Sequence, residues 1–150
     1  MAHEFFCRVY YEDTDLAGIV YYANYFRFIE RARTEALTER GVDQRALKAE
    51  QGVVFAVRRV EAEYLAPAHL LDTLRVETAL GALGGASVGL EQSVWRDGTC
   101  LFRAKVQIVA LGANGRAARV PEVARAALAE LGPSQGTGES IGDDDGDTAV

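Results

Sequence analysis

At 150 residues, with 49% hydrophobic and 25% charged residues, the chain has the size and composition of one globular domain with a proper core. No apolar run approaches the roughly 18 residues of a membrane-spanning helix, and no basic patch points to nucleic acid. The net charge of −6 is local: Pro133 to Val150 holds five acids (Glu139, Asp143, Asp144, Asp145, Asp147) and no base, which leaves 17 acidic against 16 basic residues before it.

Taken in chain order, Phe5-Phe-Cys-Arg-Val-Tyr-Tyr is rich in strand formers and is stopped by Glu12-Asp-Thr-Asp. A short glycine-containing turn follows, Leu16 to Val20. From about Tyr22 to Arg40 the pattern is helical, with Tyr22, Tyr25, Ile29, Ala32 and Ala36 at spacings of three and four and Gly41 where a C-cap belongs. Phe26, Phe28 and Leu37 widen the apolar face beyond one stripe, so the helix is predicted to be wrapped by a sheet.

After a polar stretch, Asp43 to Gln51, the period changes to two. Strands are predicted within Val53–Tyr64, around Leu74–Leu80, around Val88–Val94 and around Cys100–Ile108. The last two are joined by Arg96-Asp-Gly-Thr, whose Asp-Gly pair signals a two-residue hairpin. Asn114-Gly115 marks a second turn, Arg119-Val120 a short closing strand, and Pro121 to Leu131 a helix ended by Gly132. The order is strand, long helix, four antiparallel strands, short helix, an α+β arrangement in which one sheet curls around one central helix. Unpaired sheet edges in such a domain are commonly covered by a second subunit, so at least a homodimer is expected.

The N-terminus shows no basic segment followed by an apolar stretch, which predicts no secretory signal. Cys7 and Cys100 are isolated thiols in apolar surroundings, as in a reducing compartment, so the expected location is cytoplasmic. The tail, residues 133–150, is too polar and Gly-rich to pack and is expected to be disordered. No His/Cys/Asp cluster has metal-ligand spacing, no Gly-rich nucleotide motif is present, and no serine sits in a nucleophile elbow. Neither a metal nor a bound cofactor is therefore expected.

The chemistry concentrates in Arg8 to Glu35. Three acids, Glu12, Asp13 and Asp15, precede a glycine turn and the start of the long helix. A helix start offers free N–H groups and about half a positive charge. Acyl transfer needs such donors for a developing oxyanion and a carboxylate nucleophile or general base beside them. Acids before helices are also ordinary caps, so spacing alone leaves both readings open.

The run Tyr10-Tyr-Glu-Asp-Thr-Asp, then Gly18, Val20-Tyr and Ala23-Asn-Tyr, resembles the active-site signature of the 4-hydroxybenzoyl-CoA thioesterase family of hot-dog proteins. More narrowly, the chain is similar to the short-chain acyl-CoA thioesterases encoded beside the Tol–Pal envelope system of Gram-negative bacteria. The similarity continues through Gly52-Val-Val-Phe-Ala-Val-Arg-Arg and Glu63-Tyr-Leu-Ala-Pro-Ala and fades by about residue 131. It implies a hot-dog domain over residues 1–132 that hydrolyses a short-chain or benzoyl-like acyl-CoA.

By the same resemblance Asp15 is the catalytic carboxylate, attacking the thioester carbonyl or activating water. Asp13 matches a structural position, and Gly18 lets the backbone approach substrate. Tyr22 begins the helix and offers its N–H to the thioester oxygen, with Asn24 and Tyr25 beside it. Phe55, Ala56 and Val57 match the acyl-pocket wall, and Arg58 or Arg59 is a candidate contact for CoA phosphates, one of them facing solvent by strand alternation.

Two departures stand out. Many of the Tol–Pal-associated enzymes have histidine where this chain has Tyr22, which removes an imidazole mechanism. The only histidines are His3, expected in a frayed terminus, and His69 after Pro67, both read as surface residues. Their scarcity also argues against a hot-dog dehydratase. The turn Gly84-Gly-Ala-Ser87 lacks the basic residues that the 4-hydroxybenzoyl-CoA enzyme carries there, leaving Ser87 as a weak phosphate or pantetheine contact. The alternatives are an acyl carrier protein thioesterase, or an interaction protein engaging envelope or phospholipid-synthesis partners. A homodimer or homotetramer is expected in each case.

Overall fold

The computed structural model describes residues 1–133. The expected acidic tail lies, apart from Pro133, outside the described residues. The elements are β1 (His3–Arg8), α1 (Asn24–Glu39), α2 (Gln44–Gln51), β2 (Val54–Tyr64), β3 (Thr73–Leu83), β4 (Ser87–Arg96), β5 (Thr99–Leu111) and α3 (Glu122–Ala129). The strands form one antiparallel five-stranded sheet in the order β1-β3-β4-β5-β2. The α+β hot-dog expectation is met: the sheet wraps the apolar face of α1, where Tyr25, Phe28, Ile29, Ala32 and Ala36 are buried.

Local chemistry accounts for most boundaries. α1 ends because Gly41 adopts φ +84°, a conformation open to glycine at little cost, and its N–H returns to the Thr38 carbonyl. β4 and β5 are joined by two residues, with Asp97 at φ 52°. Two buried clusters meet along the helix. One gathers Phe28, Ile29, Leu74, Val94 and Phe102 under its first half; the other gathers Val42, Leu47, Leu90, Ala110 and Leu128 under its second.

Four expectations are corrected. The polar stretch after Asp43 contains α2, capped by the Asp43 carboxylate on the N–H groups of Arg45 and Ala46 and closed by Gly52 at φ +66°. Only Leu47 of this helix is buried, so no apolar stripe announced it. The helix Tyr22 was to begin starts two residues later, at Asn24. Arg119 and Val120 form no strand: a single bridge, Leu111 to Ala117, closes that turn, and Val120 is buried with its N–H on the Gly85 carbonyl. His3 is no frayed surface residue either. It opens β1, is buried, and its Nε2 lies 2.7 Å from Glu39 Oε2 at the far end of α1.

β1 and β2 are the two edge strands, and β2 is bonded to β5 along one side. Its register on β5 slips between Val57 and Arg59. The extra residue, Arg58, lets Phe55 and Val57 share the helix side with Val60, Ala62 and Tyr64, and both Arg58 and Arg59 are exposed. Simple alternation, which assigned one of these arginines to solvent, misses the bulge.

Candidate active site

The segment from Tyr10 to Asn24 folds as a doubled-back loop held mostly by its own backbone. Asp13 is buried and fastens it. Its carboxylate accepts from the Tyr10 N–H at 2.9 Å, and its carbonyl accepts from the Tyr21 N–H at 2.8 Å and the Asn24 side-chain amide at 2.9 Å. Thr14 bridges Val20, and the Asp15 N–H donates to the Ile19 carbonyl. Between them the chain reverses at Gly18, whose φ of +80° suits a residue without a Cβ.

This turn presents Asp15 to solvent with one carboxylate oxygen accepting from the Ala17 N–H at 2.9 Å. Its other oxygen has no partner among the described residues. The turn into α1 closes with the Asn24 N–H on the Tyr21 carbonyl, 2.8 Å. That leaves the N–H groups of Tyr22 and Ala23, just ahead of the helix, without an acceptor among the described residues.

Asp15 and Tyr22 line one open groove of about 430 Å³, with Ile19, Val20, Tyr21 and Tyr25 beside them and Tyr64 to Pro67 opposite. Tyr64 donates its O–H to the Tyr22 carbonyl at 2.8 Å. Tyr25 is buried, stacks on Phe102 at 4.9 Å between ring centroids, and accepts the Ala68 N–H on its hydroxyl. Burial raises the Tyr25 and Tyr64 phenols above their ordinary value, so both stay neutral hydrogen-bonding groups at neutral pH. A residue with an unshared carboxylate oxygen and one with an unaccepted N–H, lining one groove, carry the groups acyl transfer requires.

The remaining predicted residues are elsewhere. Phe55, Ala56 and Val57 line a second hollow of about 200 Å³ with Glu30, Arg33, Thr34, Leu37, Thr78 and Leu90, under the second half of α1. The two hollows share no lining residue. Ser87 sits at the start of β4, in a third depression on the sheet's other face, with Arg59 and Gly84. Phe55 is nine residues from Tyr64 along β2, or roughly 30 Å at about 3.3 Å per residue. Within one protomer Asp15, Gly18, Tyr22 and Asn24 therefore come together, while Phe55 to Val57 and Ser87 stand toward the opposite end of the sheet and Arg58 near the middle of β2. Tyr64 and Arg33 went unmarked as site residues in the sequence, because a tyrosine on the apolar side of a strand and an arginine among helix charges look there like ordinary alternation.

A single antiparallel sheet wrapped around one long helix is the hot-dog arrangement of thioester-processing domains. The match of residues 9–128 to the Thioesterase-like superfamily model places the chain in that family, and it is a thioesterase. It is 46% identical over 103 residues to the acyl-CoA thioester hydrolase YbgC of Escherichia coli O6:H1, spanning 68% of this chain and 76% of that protein. It is 43% identical over 101 residues to the acyl-CoA thioesterase YbgC of Haemophilus influenzae, spanning 67% and 74%. Among solved structures, a probable thioesterase from Bartonella henselae superposes with a TM-score of 0.77 at 34% identity, covering 81% of this chain and 100% of that one.

Proposed function

We propose that the chain hydrolyses short-chain or benzoyl-like acyl-CoA thioesters in the cytoplasm, as a homodimer, with Asp15 as the catalytic carboxylate. The observation that carries this is the groove itself: Asp15, with one open carboxylate oxygen, and Tyr22, with an acceptor-free N–H, line the same space. The thioester carbonyl accepts from the Tyr22 N–H, which stabilises the oxyanion as it forms. Asp15 either attacks the carbonyl carbon, releasing CoA thiolate and leaving an anhydride that water cleaves, or deprotonates the attacking water. In both routes one water is consumed, and free acid and CoA leave. The chain's own groups suffice, so neither metal nor bound cofactor enters.

The dimer supplies what one protomer lacks. β2 is an 11-residue edge strand whose flanks expose Val54, Val57, Tyr64 and Leu65, with Tyr22 and Phe26 of the helix side beside them. Pairing it antiparallel with its copy, centred near Arg59, sets Tyr64 opposite the partner's Val54. The partner's Phe55 to Arg58 then border the groove that holds Asp15 and Tyr22, and the partner's Ser87 lies two strands further in. The acyl wall and the basic contacts for CoA thus come from the second subunit.

The test is free-thiol release from acetyl- to palmitoyl-CoA, benzoyl-CoA and an acyl carrier protein thioester, with Asp15→Asn alongside. Hydrolysis by wild type and a loss of about 10²–10⁴ in kcat/KM for Asp15→Asn support the reading. No thioester cleaved, or an Asp15→Asn as active as wild type, overturns it in favour of a protein engaged mainly in interaction.

A further inference from the structure

The hollow beneath the second half of α1 has a charged end that plain thioester hydrolysis does not need. Its walls are apolar, formed by Leu37, Phe55, Val57 and Leu90 among others, and Arg33 enters it from the helix. The guanidinium is held in place from below. Arg33 Nη1 donates to Gln92 Oε1 at 2.9 Å, and Gln92, 2% exposed, is itself fixed by Nε2 to the Ile29 carbonyl and to Thr78 Oγ1, each at 2.9 Å. An arginine has five N–H donors in a fixed fork, and this one places a single bond on a neutral amide. Its other donors have no acceptor among the described residues.

Six arginines elsewhere (Arg40, Arg45, Arg59, Arg75, Arg96, Arg103) lie within 4.0 Å of a carboxylate. Arg33 does not. The acid nearest to it in sequence on that wall, Glu30, is exposed and accepts the Thr34 hydroxyl instead, at 3.0 Å. Removal from water lowers the Arg33 pKa, and the Glu30 charge offsets part of that. A half-buried cation oriented by a buried amide, with its fork unfilled, is a receptor for an anion.

We infer that this hollow selects acyl groups ending in a carboxylate, which Arg33 receives. The inference rests on the thioesterase reading and on the paired subunits that carry the hollow to the groove. Size sets the chain length: an apolar cavity of about 150 Å³ admits benzene, so one of about 200 Å³ admits about eight heavy atoms. A five- or six-carbon diacid monothioester matches that size. A neutral acyl terminus of equal length displaces water from the half-buried guanidinium without replacing its hydrogen bonds, which is how a polar pocket rejects the analogue lacking the group.

The experiment compares kcat/KM for glutaryl-CoA and valeryl-CoA, equal in carbon count, in wild type, Arg33→Met and Arg33→Lys. Wild type is expected to prefer glutaryl-CoA by about tenfold or more, the gain of one charged hydrogen-bonded contact. Arg33→Met is expected to lose that preference and Arg33→Lys to keep part of it. A wild type that prefers valeryl-CoA overturns the assignment whatever the variants do, as does a ratio unchanged in Arg33→Met. If Arg33→Met does not fold, inhibition of wild type by glutarate against valerate decides: stronger inhibition by glutarate supports the assignment, and equal inhibition overturns it. Failure to cleave any thioester, butyryl- and benzoyl-CoA included, is a different result and removes the thioesterase reading itself.

Discussion

The Tyr64 hydroxyl donates to the main-chain carbonyl of Tyr22 across 2.8 Å, tying the end of edge strand β2 to a groove residue whose N–H has no acceptor among the described residues. The bond joins residues 42 apart in sequence, one from β2 and one from the turn before α1. It fixes the peptide that follows Tyr22 and, through it, the setting of the helix start. Asp13 and Asn24 restrain the same turn from the other side.

Tyr64→Phe removes this restraint and leaves the ring packing on Phe102 and Tyr25 in place. A net hydrogen bond contributes about 0.5–1.5 kcal/mol. If that preorganises the oxyanion donor, kcat falls about three- to tenfold while KM moves less. Steady-state kinetics on the best thioester of the panel, with a thermal melt alongside, reads both effects. An unchanged kcat shows that Tyr64 holds no part of the site.

How much of this could be read from residues alone varied with the kind of signal. The strands of the hairpins were legible because alternation and the Asp97-Gly98 turn act within a few residues. Asp15, Gly18 and Asn24 were legible together only through the family signature that this one loop carries, since spacing alone left Asp15 open between a helix cap and a catalytic carboxylate. α2 was not, since one buried leucine makes no periodicity and its capping signals, Asp43 and Gly52, look like any polar loop. The Arg58 bulge was not, because it is set by pairing with β5, 50 residues away. The fixed fork of Arg33 depends on Gln92 from β4, and no local pattern links the two.

Gln92→Leu is predicted to be among the more damaging single substitutions in the core. The side chain is 2% exposed and bonded to Ile29, Thr78 and Arg33. Leucine is close in size, so the cost comes from stranding the Arg33 guanidinium and the Thr78 hydroxyl and is about 2–4 kcal/mol. Urea unfolding followed by fluorescence is expected to show a lower midpoint with an unchanged slope. A midpoint within error of wild type refutes the clamp.

The thiols make a pH prediction. Burial is the largest cause raising Cys7 from 9.0 to about 11, with Arg31 opposing and Asp13 assisting, and burial likewise raises Cys100. A folded pKa above the unfolded one means the native state holds its proton longer. The associated stability is fully present below about pH 9 and is lost as pH rises through about 11. Native protein at pH 8 is therefore expected to react with a disulfide reagent at least tenfold more slowly than urea-unfolded protein. Cys7→Ala is expected to flatten the fall in stability between pH 9 and 11. Fast native labelling of both thiols at pH 8 contradicts this.

The final prediction concerns sites shared between subunits. If Asp15 and Tyr22 of one protomer work with Phe55 to Arg58 of the other, defects at the two ends complement. Asp15→Asn removes the carboxylate. Val57→Trp fills the hollow that Val57 lines, 47% exposed at the edge of β2. Each homodimer is expected to be nearly inactive. After mixed refolding, half of the molecules are heterodimers if pairing is random, and each heterodimer carries one intact site made of wild-type Asp15 facing wild-type Val57. Activity then returns to roughly a quarter of wild type, with sedimentation confirming that the species is a dimer. If each site instead lay within one chain, every protomer in the mixture would carry a defect and no activity would return. Recovery on mixing therefore separates a composite site from a self-contained one.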